Sequence, residues 1–256
     1  MAGRFLVCLL AAAPALCQSA DGAFQLGSKL FAEGRIEAAM SAFREAVRLE
    51  PRHAPAWKAI GVVLASRGEV EGAEAAFRNA CEFQPALPDA CLYFGRTLYL
   101  LDRFPAAIAV LQPVTRREPK NAEAYRLLAL SLQGAGETAQ SAAAFQQAMR
   151  VYRGGAADED PGIDYAVFLF RQGKAEEAIG PAEAVLKRHP DSARGQLELG
   201  CILLALDRVE DAAAHLERAS KLDPGKPRAH LLLGNAYLRL GKTAAGEEEL
   251  RRAAGR

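Results

Sequence analysis

The chain has 256 residues, of which 50% are hydrophobic and 25% charged, a balance that supports a packed core and excludes global disorder. Its 32 basic and 31 acidic residues leave a formal net charge of +1, which argues against a strongly basic nucleic-acid binder or a polybasic membrane-surface protein. Alanine supplies 53 positions and aromatics only 7%, a composition that favours helices over a β-sandwich or barrel.

Residues 1–17, MAGRFLVCLLAAAPALC, form the first predicted element. Arg4 is a minimal basic start, Phe5 to Ala13 is a short apolar run, and Ala15 and Cys17 place small residues three and one before a cut that leaves Gln18 first. This is the layout of a cleavable secretory signal peptide, too short to span a bilayer, and it predicts a periplasmic or secreted protein with no integral membrane span after cleavage. The alternative is a frayed apolar N-terminus on a cytosolic protein. Leu16 ahead of Cys17 disfavours a lipoprotein. Loss of Arg4 with the leader leaves 31 basic and 31 acidic residues, formally neutral.

Of the five cysteines, Cys8 and Cys17 fall in the leader, so Cys81, Cys91 and Cys201 remain, too sparse for a disulfide framework. Cys81 and Cys91 are ten residues apart and flank one interhelical turn. Export permits a disulfide there. Two small buried hydrophobes is the preferred reading, because bridge geometry is demanding.

From residue 20 onward the chain repeats itself. Pro51, Pro85 and Pro119 are 34 residues apart, as are Pro190 and Pro224, Phe43 and Phe77, and Gly27, Gly61 and Gly95. Seven units follow: 20–53, 54–87, 88–121, 122–155, 159–192, 193–226 and 227–256. A three-residue phase slip within 154–161 predicts a longer loop that divides the array four plus three. Within each unit apolar residues recur at positions 4, 7, 8 and 11 and again at 20, 24 and 27, the spacing of two amphipathic helices, A and B. Small residues at 8 and 20 let the two backbones approach. Glycine near 15 suits a left-handed turn, and proline at 32 stops helix B.

These residues resemble the tetratricopeptide repeat family over 20–256. The second unit is nearly complete, with Trp57, Ile60, Gly61, Leu64, Gly68, Ala73, Phe77, Ala80 and Pro85. Departures are local: Ser141 replaces Ala and Arg153 replaces Pro in the fourth unit, Ala182 replaces the aromatic in the fifth, and Gly246 replaces Ala in the seventh. The resemblance implies an all-α, right-handed solenoid of antiparallel helix pairs, each unit burying the face its neighbour exposes.

Chemistry-bearing motifs are missing. His53, His189, His215 and His230 sit in no metal-ligand spacing, and no phosphate-binding or nucleophile-elbow motif occurs. The expectation is no catalysis, no metal and no cofactor. Asp158, Glu159 and Asp160 read as a solvated acidic loop rather than a calcium site.

Positions 5, 9 and 12 of each helix A lie opposite the core stripe, and in the resembled family they line the concave groove that holds peptides. Here 15 of these 21 residues are apolar, more than a water-facing surface needs. The expected contacts are Phe31, Val62, Leu92, Arg96, Tyr99, Arg126, Leu130, Ile163, Val167, Phe170, Leu204 and Asn235. The competing reading is that curvature buries part of position 12 and some of position 5 against neighbouring A helices. The Lys/Asn clamp with which some family members grip a carboxylate tail is not assembled: Lys58 is followed by Val62, and Asn235 stands alone. The expected partner is a protein or peptide segment, amphipathic or extended and apolar, oriented by Arg96, Arg126, Arg171 and Arg239. Such scaffolds serve envelope assembly, secretion or pilus machinery. Self-association as a homo-oligomer through an uncapped last unit is the alternative.

Overall fold

The computed structural model describes residues 19–87 and 89–255, so the leader lies outside the described residues. Among them the chain forms fourteen α-helices, one short 3-10 helix at Ala157–Glu159, and no strand. It divides between Leu101 and Asp102 into two compact units.

The first unit holds α1 (Ala20–Ala32), α2 (Ile36–Leu49), α3 (Ala54–Ser66), α4 (Val70–Phe83) and α5 (Ala90–Leu100). Helices α1 and α2 pack as one pair, α3 and α4 as the next, and α5 lies on α4. Its core gathers Leu30, Met40, Phe43, Ile60 and Val63, with Trp57 and Leu64 packed at the edge. The second unit holds α6 (Phe104–Arg117), α7 (Ala122–Gly134), α8 (Thr138–Val151), α9 (Pro161–Arg171), α10 (Ala175–Arg188), α11 (Ala193–Ala205), α12 (Val209–Leu222), α13 (Pro227–Arg239) and α14 (Thr243–Ala253). There α7 pairs with α8, α9 with α10, α11 with α12, and α13 with α14.

The repeat register explains the pairing. A Cβ on Gly61 would lie 2.6 Å from the ring of Phe77, and one on Gly27 would lie 2.5 Å from that of Phe43, so in the first two repeats glycine at position 8 lets helix A rest on the position-24 aromatic of its own helix B. Position 15 is left-handed throughout, with φ of 74° at Gly34 and 76° at Gly68. Asp102 and Asp207 take the same conformation in the third and sixth repeats, where no glycine is present.

Two expectations are corrected. The phase slip is not a division. Asp160 is fully buried, accepts the Gly162 N–H at 3.0 Å to cap α9, and accepts from Arg188 Nε at 2.8 Å and Nη2 at 3.0 Å. That bidentate bond fastens the inserted loop to α10, and Arg188 also lies over the Tyr152 ring. So α8 packs on α9 across the slip, within one unit. Nor are Cys81 and Cys91 two separate hydrophobes: they form a disulfide with their Cα atoms 4.7 Å apart.

High pH acts on the end of the second unit through Tyr237. Burial, then its hydrogen bond to Glu217 Oε1 at 2.6 Å, push its hydroxyl up to about 12 from an ordinary 10. A group whose acid form is favoured by folding stabilises below its unfolded value and loses that contribution above it. Stability is therefore expected to fall between about pH 10 and 12. Denaturant melts should show part of that fall disappear in Tyr237→Phe.

Candidate apolar binding site

Helix α1 starts at a true cap: Ser19 Oγ accepts the Gly22 N–H at 3.1 Å. One face of the helix then carries Phe24, Ser28 and Phe31 at i, i+4 and i+7. Helix α3 is capped by a histidine. His53 Nδ1 accepts the Ala56 N–H at 3.1 Å, so its proton is on Nε2, which donates to Asp21 Oδ1 at 3.0 Å and ties α3 to α1. The facing side of α3 presents Pro55, Lys58, Ala59 and Val62.

Between these faces lies a pocket of about 500 Å³, floored by Phe43 and closed on one side by Leu87 from the α4–α5 connection. The Phe24 ring sits 5.9 Å from Phe43 and 5.3 Å from His53. Phe31 stands at the rim, 39% exposed. Ser28 returns its hydroxyl to Phe24 O at 3.0 Å, so it adds little unmet polarity to the wall. Such a lining can desolvate one or two bulky apolar side chains.

Of the expected contacts, Phe31 and Val62 meet in this pocket. Leu92 is 8% and Ile163 1% exposed, so both are core residues and offer no contact surface. Interior A helices pack on one another, α7 on α9 and α9 on α11, which covers position 5. The same position is half-buried at Phe24 and open at Leu231. Val167, Phe170, Leu130, Leu204 and Tyr99 are half-buried, while Arg96 and Asn235 are exposed. None of these lines the pocket.

Arg126 is spent internally. Its Nε and Nη2 donate to Glu123 at 2.6 and 2.9 Å, and Nη1 donates to Asp164 Oδ2 at 2.8 Å. Asp164 Oδ1 in turn accepts from Arg194. Burial alone would lower the Arg126 guanidinium, but the bonds and charges of Glu123 and then Asp164 outweigh it and hold it above its ordinary value. It therefore ties α7, α9 and α11 together rather than presenting charge to a partner. Arg239 is likewise paired with Asp207. Sequence reasoning missed His53 and Leu87. Both hold position 34 of their repeats, a signal that the 34-residue register itself contains.

Among the described residues no group of His, Cys, Asp and Glu could hold a metal ion, and no helix is long and apolar enough to cross a membrane.

A search of curated proteins returns no match. Among solved structures, a tetratricopeptide repeat protein from Parabacteroides merdae is similar at a TM-score of 0.72 and 13% identity, with 93% of each chain covered. Pseudomonas aeruginosa pilF gives 0.65 and 20%, covering 84% of this chain and 97% of that one. The APC/C hetero-tetramer Cut9–Hcn1 gives 0.68 and 18%, covering 85% of this chain but 42% of that one, so this chain spans less than half its length. At these identities the likeness is one of fold. One tetratricopeptide repeat profile matches residues 24–88, 169–225 and 197–256, and a second matches 64–130. Together with the helix pairs and their 34-residue register, these matches make the chain a member of the tetratricopeptide repeat family, whose repeats generally act as protein-interaction scaffolds.

Proposed function

We propose that this protein is an exported, non-catalytic scaffold that captures a partner protein by burying an apolar segment in the pocket between α1 and α3. The observation that carries the reading is that pocket: about 500 Å³, with three phenylalanines and Val62 in its lining. Its volume and lining suit a segment presenting one or two large apolar side chains. The near-neutral chain favours such a segment over a nucleic acid. Export rests on the leader's layout and is supported by the Cys81–Cys91 disulfide, a bond that persists in oxidising compartments. Envelope assembly, secretion or pilus machinery is the setting in which such a scaffold acts.

Self-association through the last repeat is the weaker reading. At position 21 the seventh repeat exposes Glu247 and so offers no apolar side chain there to a further copy, although the second repeat buries a glutamate, Glu74, at the same position by pairing it with Arg78.

The test is affinity capture of the full exported chain from its host beside Val62→Asp. A carboxylate in the pocket wall opposes burial of an apolar side chain and is expected to lower partner affinity by about a hundredfold. Val62 is half-buried, so the melting temperature should move little. A folded variant that captures the same partner as wild type rejects the reading.

A further inference from the structure

In three repeats position 34 supplies the cap of the next helix A, while Lys226 at that place makes no such bond. Ser19, just ahead of the first repeat, and His53, Asn121 and Ser192 at position 34 each accept the backbone N–H three residues on. In the second repeat this place belongs to Leu87, which has no polar side-chain atom. Helix α5 starts at Ala90, after Asp89 in a left-handed conformation (φ 63°) with no side-chain cap bond. Uncapped helix ends and left-handed non-glycine residues both weaken a connection. Leu87 instead lines the apolar pocket.

The closure at this connection is covalent. Cys81 lies in the last turn of α4 and Cys91 in the first turn of α5, bonded across a sequence separation of 10. Cys201 is the free cysteine among the described residues, so no other described connection is closed in this way.

We propose that the Cys81–Cys91 disulfide is an affinity switch for the apolar pocket, resting on the reading of that pocket as the partner site. Oxidised, it holds Leu87 in place as a wall against the bulky apolar side chain of the partner. Reduced, the connection regains the conformational freedom that the cross-link removes, and the wall is lost. The reductant is a dithiol. One of its thiolates attacks a sulfur of the disulfide, and Cys81, half-buried where Cys91 is 5% exposed, is the more open of the two residues. The mixed disulfide is resolved by the second thiol of the reductant. Cys81 and Cys91 leave as thiols, having gained two electrons and two protons, and the dithiol leaves as its own disulfide.

The test titrates 1-anilinonaphthalene-8-sulfonate, an apolar fluorescent probe, into the full chain, oxidised and after dithiothreitol. The dissociation constant is expected to rise about tenfold on reduction, and by a similar factor in oxidised Leu87→Ala, since each removes one leucine's worth of apolar contact. Reduction should add nothing further in Leu87→Ala. Far-UV circular dichroism and the emission of the single Trp57 report whether the fold persists. Should reduction also cost helicity, the oxidised Leu87→Ala variant decides, and unchanged affinity there overturns the switch. Equal affinity before and after reduction, with Val62→Asp still weakened, overturns the switch and leaves the pocket standing. Wild-type affinity in Val62→Asp overturns both.

Discussion

Phe145→Ala is expected to lower the unfolding free energy by about 3–5 kcal/mol, the usual loss for a fully buried phenylalanine. Phe145 has no exposed surface, and its ring lies 5.7 Å from Tyr165 and 5.4 Å from Phe168. It stands on α8, before the phase slip, and its two partners stand on α9, after it. The removed ring therefore opens a cavity under both helices. Denaturant melts should show the loss, and hydrogen exchange should show protection falling in α8 and α9 together. Protection falling in α8 alone would mean that the slip does separate two independent stacks, as its length in the sequence first suggests.

Asp164→Ala is expected to cost about 2–4 kcal/mol, and the loss should be smaller in Asp164→Asn. The Asp164 side chain is 7% exposed and that of Arg126 11%, and removing the carboxylate strands the guanidinium with Glu123 alone. Arg194 loses its partner on Asp164 as well. The cost is placed below that of a fully orphaned buried charge because Glu123, 28% exposed, stays bonded. Thermal melts of the two variants measure it. If Arg126 were instead a residue held ready for a partner, Asp164→Ala would leave the melting temperature near that of wild type and tighten binding of an acidic segment.

These two sites show where sequence reasoning reached and where it stopped. The position-24 aromatic, the close-packed glycine at position 8 and the left-handed residue at position 15 follow from periodicity, because each repeat must solve the same local packing problem. Phe145, Gly61 and Gly68 were legible on that ground. The fate of Arg126 was not. An arginine at position 5 reads as groove charge until Asp164, 38 residues on, is seen to lie 2.8 Å away. Leu92 and Ile163 were misread for a related reason. Both are buried, and for Ile163 the helices packed beside α9 include the A helices α7 and α11, which a one-dimensional stripe does not show.

The sequence by itself determined the number of helices among the described residues and the pairing of those that pair within one unit, since these are set by contacts within about 34 residues and recur at fixed spacing. It also carried the apolar excess on helix A. The tertiary structure alone decided which of those apolar residues remain at the surface, which charges neutralise one another, and that Cys81 and Cys91 join beside Leu87. Burial and ion pairing depend on distances between successive repeats, and a stripe of leucines looks the same in one dimension whether a neighbouring helix covers it or water does.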